Sequence, residues 1–242
     1  MSSVSVLIPF QPDPHRRGRK VPIADGASRE DIFSWVRARW EALYPSFELV
    51  TAGSGDRSIN RSAARNEAFR RSSGDVVIVA DADIVFHQGQ VDMALDNIRH
   101  LGHRWVIGFD RYEQLWGPDT RDVLRQDPSA GIPRPAHPRW TTDQGNAGLL
   151  IMTREAFERV NGYDERFSAW GWEDWAFANA LHTLVHPLVA VPGYVLHLCH
   201  PRSRDRSKRQ GRPLWNRYEA AFGDREATEA LIREEGHGGI EG

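Results

Sequence analysis

Three short apolar runs separated by amphipathic segments restrict the architectures open to this chain. "VSVLIP" (Val4 to Pro9), "FELVT" (Phe47 to Thr51) and "DVVIVAD" (Asp75 to Asp81) each read as a strand. Between the first two, "SREDIFSWVRARWEAL" opens with Ser28 and Asp31 at capping-box spacing, and Ile32, Val36, Trp40 and Leu43 fall on one helical face. Between the second and third lie a Gly-rich turn, "AGSGD", and a helix, "INRSAARNEAFRR". The order β-α-β-α-β, with a third strand apolar on both faces, predicts an α/β fold with a mainly parallel central sheet flanked by helices.

The pattern continues with a helix near Gln90 to Leu101 and a strand "WVIGF" (Trp105 to Phe109). The proline-punctuated stretch from Trp116 to Trp140 has no clear period and reads as a long loop, expected to lie over a site rather than in the core. "AGLLIMT", "REAFERVNGY", "EDWAFANALHTLV" and "LVAVPGYVLHLCH" then give strand, helix, helix and strand. The tail holds an arginine-rich loop, "PRSRDRSKRQGR", and a polar helix starting near Asp224. At 242 residues and 40% hydrophobic, the chain suits one domain with a full core.

A net charge of -2 conceals a skew, since Lys20 and Lys208 are the only lysines among the basic residues. The single Cys199 excludes an internal disulfide. "MSSVSVLIPF" is too short an apolar run, without a basic leader, to be a signal peptide or anchor, so the expected setting is cytoplasmic. Runs such as "VVIVA" and "AGLLIM" fall far below the roughly 20 residues a transmembrane helix needs, and no membrane span is expected.

Three features carry chemistry. "FSAWGWEDWAF" (Phe167 to Phe177) sets Glu173 and Asp174 side by side among tryptophans, although burying an unpartnered carboxylate costs several kcal/mol or forces it to take up a proton. That arrangement points to a binding site, or to a helix N-terminus whose acids favour the dipole while the indoles pack the core. Asp81 and Asp83 close a hydrophobic strand where α/β folds bind ligands, and offer hard oxygen ligands to Mg²⁺ or Mn²⁺; D-x-D is equally common as a solvated turn. "HLCHP" places His197 and His200 at the end of the last strand, as structural residues or as nitrogen ligands completing a mixed site.

Taken in order, "IPF" (Ile8 to Phe10), "INRSAARN" (Ile59 to Asn66), "DAD" (Asp81 to Asp83), "GNAGLLIMTREAFERVNGYDERF" (Gly145 to Phe167), "WGWED" (Trp170 to Asp174) and "HPRSRD" (His200 to Asp205) resemble the nucleotide-sugar glycosyltransferases of the GT-A fold. The similarity is to the catalytic domain of the β-1,4-galactosyltransferases and to bacterial family 2 enzymes. It implies one GT-A domain over 1–242, with a donor-binding half at about 1–110, an acceptor and metal half at about 141–206, and a basic loop and helix at 207–242. By position it implies that Pro9, Phe10 and Arg61 hold the nucleotide, with Asp56 near the base or ribose and Asp81 nearer the ribose. Asp83 becomes the metal-binding acid and His200 the metal-binding histidine. Trp170 takes the place of the family's mobile-loop tryptophan, Trp172 and Glu173 face the acceptor, and Asp174 is the general base.

The activity implied is a metal-dependent, inverting hexosyl transfer with Mn²⁺ or Mg²⁺, from a nucleotide sugar such as a UDP-sugar to an acceptor hydroxyl. The acceptor could be a saccharide, a protein, a small molecule or, as in a phage enzyme acting on hydroxylated bases, modified DNA, for which the arginine run would supply phosphate contacts. A non-catalytic nucleotide-binding or carbohydrate-binding module on the same fold is the alternative. Trp172 and Trp175 stand where vertebrate members have glycine and aspartate, and Ala63 replaces a lysine, so acceptor specificity does not carry over. The Golgi members' anchor and disulfide cysteines have no counterpart, which fits a bacterial or bacteriophage enzyme.

Overall fold

A computed structural model describes residues 2–12, 21–55, 59–143, 145, 147–168, 171–201 and 208–240. In chain order these form β1 (Val4–Pro9), a 3-10 turn (Ile23–Asp25), α1 (Arg29–Leu43), β2 (Glu48–Ala52), α2 (Arg61–Arg70), β3 (Val76–Ala80), β4 (Ile84–Val85) and α3 (Gln88–His100). There follow β5 (Trp105–Ile107), β6 (Arg111–Gln114), α4 (Gly117–Leu124), β7 (Trp140–Asp143), β8 (Leu149–Thr153) and α5 (Arg154–Arg159). The remainder is α6 (Glu173–Leu184), β9 (Tyr194–His197), α7 (Lys208–Ala220) and α8 (Arg225–Ile232).

The main sheet has the order β2-β1-β3-β8-β5. β1 pairs parallel with β2 and β3, while β8 runs antiparallel to both β3 and β5, so four strands share one direction and β8 alone opposes them. A mainly parallel sheet is what the β-α-β-α-β reading predicts. Every residue of β1 and of β3 is buried, as strands covered on both faces require. Ser28 caps α1 by accepting from the Asp31 amide at 3.0 Å, and Ile32, Val36 and Trp40 of that helix are fully buried.

A smaller sheet, β4-β9-β6-β7, lies beyond the carboxyl end of β3 and shares the same hydrophobic core. The sequence reading did not anticipate β6 and β7, because "RYEQ" and "WTTD" are short, polar and half exposed. The stretch from Trp116 to Trp140 is also not one long loop. Pro118 sits in the first turn of α4, where proline is compatible with a helix. Thr120, Val123 and Ile132 are buried rather than held above a site. Arg39 of α1, 2% exposed, fastens the stretch by donating to the carbonyls of Pro128 (2.6 Å) and Ala130 (2.9 Å), and Trp35 Nε1 donates to the Gln126 carbonyl.

The arginine-rich tail needs a similar correction. Residues 202–207 lie outside the described residues, but from Lys208 onward the chain is α7 rather than loop. Trp215, Tyr218 and Ala221 supply its buried side. Gly211 permits the contact, since a Cβ there would come 3.1 Å from Phe167 and 3.3 Å from Trp172. Buried Asp164 anchors this end of the molecule by accepting from Tyr218 Oη (2.9 Å) and from Arg166, which also donates to Glu234 (2.6 Å). Among the described residues, no helix is long and apolar enough to cross a membrane.

Candidate active site

Because β1, β2 and β3 run parallel, their carboxyl ends share one edge of the sheet. Leu7 pairs with Val79 and Pro9 with Ala52, so Pro9 is level with Asp81 just beyond β3. This is the edge at which open α/β sheets bind ligands. Phe10, 7% exposed, stacks on Phe33 with ring centroids 4.0 Å apart, so one face of its ring is held by the core. Arg61 begins α2 behind its N-cap, Asn60, whose side chain accepts from the Ala63 amide. Asp56 and Trp170 lie outside the described residues.

Asp83 sits in the turn that carries the chain from the main sheet to the small one. Its carbonyl accepts from the Leu198 amide at 2.9 Å, which fixes the turn against the end of β9. Its Oδ2 lies 3.0 Å from His200 Nε2 and 3.5 Å from His197 Nε2. The three ligand atoms fall within 4.8 Å of one another. Burial alone would raise the Asp83 pKa, but His197 and His200 overcome it and hold the carboxyl well below the usual range.

His200 Nδ1 lies 3.0 Å from the Pro201 carbonyl, which fixes the ring with Nε2 turned towards Asp83. Two imidazole nitrogens and a carboxylate oxygen converging in this way suit a borderline-hard divalent ion such as Mn²⁺. His197 therefore joins the predicted pair of Asp83 and His200, at a slightly longer distance from the carboxylate. Its ring is braced by Tyr112, stacked at 5.7 Å, and Trp140 in turn packs edge-on against Tyr112.

The acidic pair opens α6, where the partial positive charge of the helix N-terminus favours anions. Glu173 is 2% exposed and, among the described residues, neither carboxylate oxygen accepts a hydrogen bond; Arg61 lies 3.6 Å away. Asp174 Oδ1 lies 2.8 Å from Arg65 Nη1, but that N–H is not aimed at it, so the contact is one of charge without a directed bond. Burial, opposed by Arg65 and reinforced by Glu173 and Asp81, pushes the Asp174 carboxyl up to about 7. A carboxylate poised there can take a proton at neutral pH.

Arg65 is the residue the sequence reading missed. It is 1% exposed and lies over the Tyr163 ring at 4.6 Å, while its other terminal nitrogen donates to Asp81 Oδ1 at 3.0 Å. The signal was its i,i+4 spacing from Arg61, which puts both guanidinium groups on one face of α2. Trp172, the N-cap of α6, has φ 76°, a left-handed conformation that costs a non-glycine residue about 1–2 kcal/mol. Stacking on Trp215 (5.5 Å) and the Arg212 guanidinium over its ring (4.8 Å) hold it there, beside the acids.

Two known families match parts of the chain. Residues 54–158 match the family described as "Glycosyl transferase family 2", and residues 132–200 match "N-terminal domain of galactosyltransferase". The overlapping matches take in α2, the D-x-D, the acidic pair and both histidines. No curated protein matches the chain. Among solved structures, a protein described only as mycobacterial shares the fold at 14% identity and TM-score 0.50, over 90% of this chain and 73% of its own.

Glucosyl-3-phosphoglycerate synthase from Mycobacterium tuberculosis, solved with Mn²⁺, UDP-glucose and phosphoglyceric acid, is 13% identical over 96% of this chain and 80% of its own, with TM-score 0.49. A mutant Drosophila β-1,4-galactosyltransferase 7 with manganese, UDP-Gal and xylobiose is 17% identical at TM-score 0.42, over 79% of this chain and 65% of its own. The chain thus spans less than two thirds of that fly protein's length.

Proposed function

We propose that this chain, parts of which match two glycosyltransferase families, is a GT-A glycosyltransferase that moves a hexose from a nucleoside diphosphate sugar, with UDP as the favoured nucleotide, to an acceptor hydroxyl with inversion at the anomeric carbon. The observation that carries this reading is the pairing of buried Glu173, neither of whose carboxylate oxygens accepts a hydrogen bond among the described residues, and its half-buried neighbour Asp174 with a metal-type triad, joined to them through Asp81 and Arg65. Buried acceptors without donors are costly in a folded protein, and a sugar hydroxyl would satisfy them.

Asp83, His197 and His200 would hold a divalent cation. When bound, the cation supplies electrostatic stabilisation to the departing diphosphate. Asp81, level with Pro9 at the strand ends, would meet the ribose, and Arg61 would help hold the nucleotide. Trp172, held beside the acids by Trp215 and Arg212, would line the acceptor side, and Glu173 would orient the acceptor hydroxyl. As the acceptor oxygen bonds to the anomeric carbon and the bond from that carbon to the phosphate oxygen breaks, the hydroxyl proton passes to Asp174.

Calorimetry of UDP binding with Mn²⁺ and with a chelator, followed by a panel of nucleotide sugars assayed for hydrolysis and transfer, tests the reading. Tighter binding with metal and turnover of one donor are expected. Equal affinity in both conditions would overturn the metal assignment. Metal-dependent binding without any turnover would make the chain a binding module.

A further inference from the structure

We propose that Arg65 is a positioning residue, a single buried guanidinium that fixes the spacing between the donor-side carboxylate Asp81 and the acceptor-side carboxylate Asp174. This rests on the transferase reading above. Among the described residues, Arg65 forms no ion pair with the metal triad. Its two terminal nitrogens instead meet one oxygen from each half of the site, at 3.0 Å and 2.8 Å, while its plane lies over Tyr163.

The supporting structure is rigid. α2 is tied to the turn after α5 by Asn66, which accepts from the Tyr163 amide and donates to the Tyr163 carbonyl, both at 2.8 Å. Gly162, φ 68°, leaves room for that contact, since a Cβ there would fall 2.5 Å from Asn66 Oδ1. The guanidinium therefore has little freedom, and a displacement of either carboxylate is felt by the other.

Stability alone does not account for such a group. Taking an arginine out of water costs several kcal/mol, and buried ion pairs often stabilise no more than apolar packing of the same volume. Here the compensating groups are the two acids that the chemistry uses, with Glu173 alongside and Arg61 beyond it. Shape matters as much as charge, because the guanidinium spreads its charge over two terminal nitrogens, one beside each carboxylate, whereas a lysine ammonium concentrates it at one point.

Two variants separate charge from geometry. Arg65→Lys keeps the positive charge facing Asp174, with Glu173, Asp81, Arg61 and Tyr163 as its remaining neighbours. The acid limb of its kcat–pH profile should stay in place while kcat falls roughly tenfold or more, as misplaced catalytic groups produce. Arg65→Gln removes the charge, so the acid limb should move to higher pH and nucleotide affinity should drop. A folded Arg65→Gln protein with the wild-type limb, or an Arg65→Lys protein with full kcat, would overturn the proposal; if Arg65→Gln does not fold, Arg65→Lys decides. Wild-type protein that neither binds nucleotide nor transfers sugar would instead refute the transferase reading.

Discussion

Replacing Asp174 with Asn tests the site through stability and activity together. An ordinary Asp carboxyl titrates near 3.8, and burial first, then the nearby Glu173 and Asp81, push this one up to about 7 against the opposing pull of Arg65 and Arg61. A raised carboxyl binds its proton more tightly in the folded state, so stability is fully present below about pH 4 and falls as pH rises towards 7. At ~1.4 kcal/mol per tenfold change in proton affinity, the whole effect is of order 4 kcal/mol. Asn mimics the protonated side chain at every pH. The variant should match wild type near pH 4 and exceed it by roughly 2–4 kcal/mol at pH 8, a rise in Tm of about 4–12 °C. The assay is thermal unfolding of both proteins across pH 4 to 8 in chelator. Transfer should fall roughly 10²–10⁴-fold while nucleotide binding survives, and the wild-type rate should rise with pH through about 7. A stability difference that does not change between pH 4 and pH 8, or a wild-type acid limb near 4, would refute the reasoning.

Mn²⁺ at a hundred times its Kd should stabilise the wild-type protein by about 2.7 kcal/mol, and Asp83→Asn or His197→Ala should abolish most of that shift; an unchanged shift in either variant removes that residue from the ligand set. Arg39→Met should destabilise the fold by about 3–5 kcal/mol, because three backbone carbonyls lose their donor, and should open residues 125–132 to proteolysis. Cleavage elsewhere first would show that α1 does not fasten this stretch.

The parallel core was legible because β1 and β3 are apolar on both faces and α1 carries both a cap and a clean apolar face. The metal-type cluster was legible only as residue types, since the D-x-D follows β3 of the main sheet, the histidines end β9 of the small one, and they meet because β4, just after Asp83, pairs with β9. Which histidine faces the aspartate depends on β9 pairing with β4 in one register, Ile84 with His197, which no local pattern specifies. Arg65 stayed hidden for a different reason. An arginine on a helix ordinarily reads as solvated, and only the packing of α2 against the Tyr163 turn buries it. α7 was concealed by Gly211 and Pro213, which look like helix breakers until the closeness of Phe167 and Trp172 shows why a glycine is needed. The roles of Pro9, Phe10, Arg61 and Trp172 came from resemblance, and the geometry adds their positions.

The contacts around Asp164 have a consequence for the order in which the molecule can be completed. Asp164 is buried, yet the hydroxyl that meets it belongs to Tyr218, 54 residues later, and its partner Arg166 is in turn held by Glu234, 68 residues later. The backbone between them, running directly into the turn that carries Glu173 and Asp174, receives a further bond when the Glu165 amide donates to the His237 carbonyl. During synthesis from the N-terminus, the nucleotide-binding strands can pair while this carboxylate still needs water. Distant partners also make this closure entropically slow compared with the helices around it. The segment just before α6 therefore gains its partners only once α7, α8 and the residues after them are made, so the parallel strands can pair before the surroundings of Asp164 are complete.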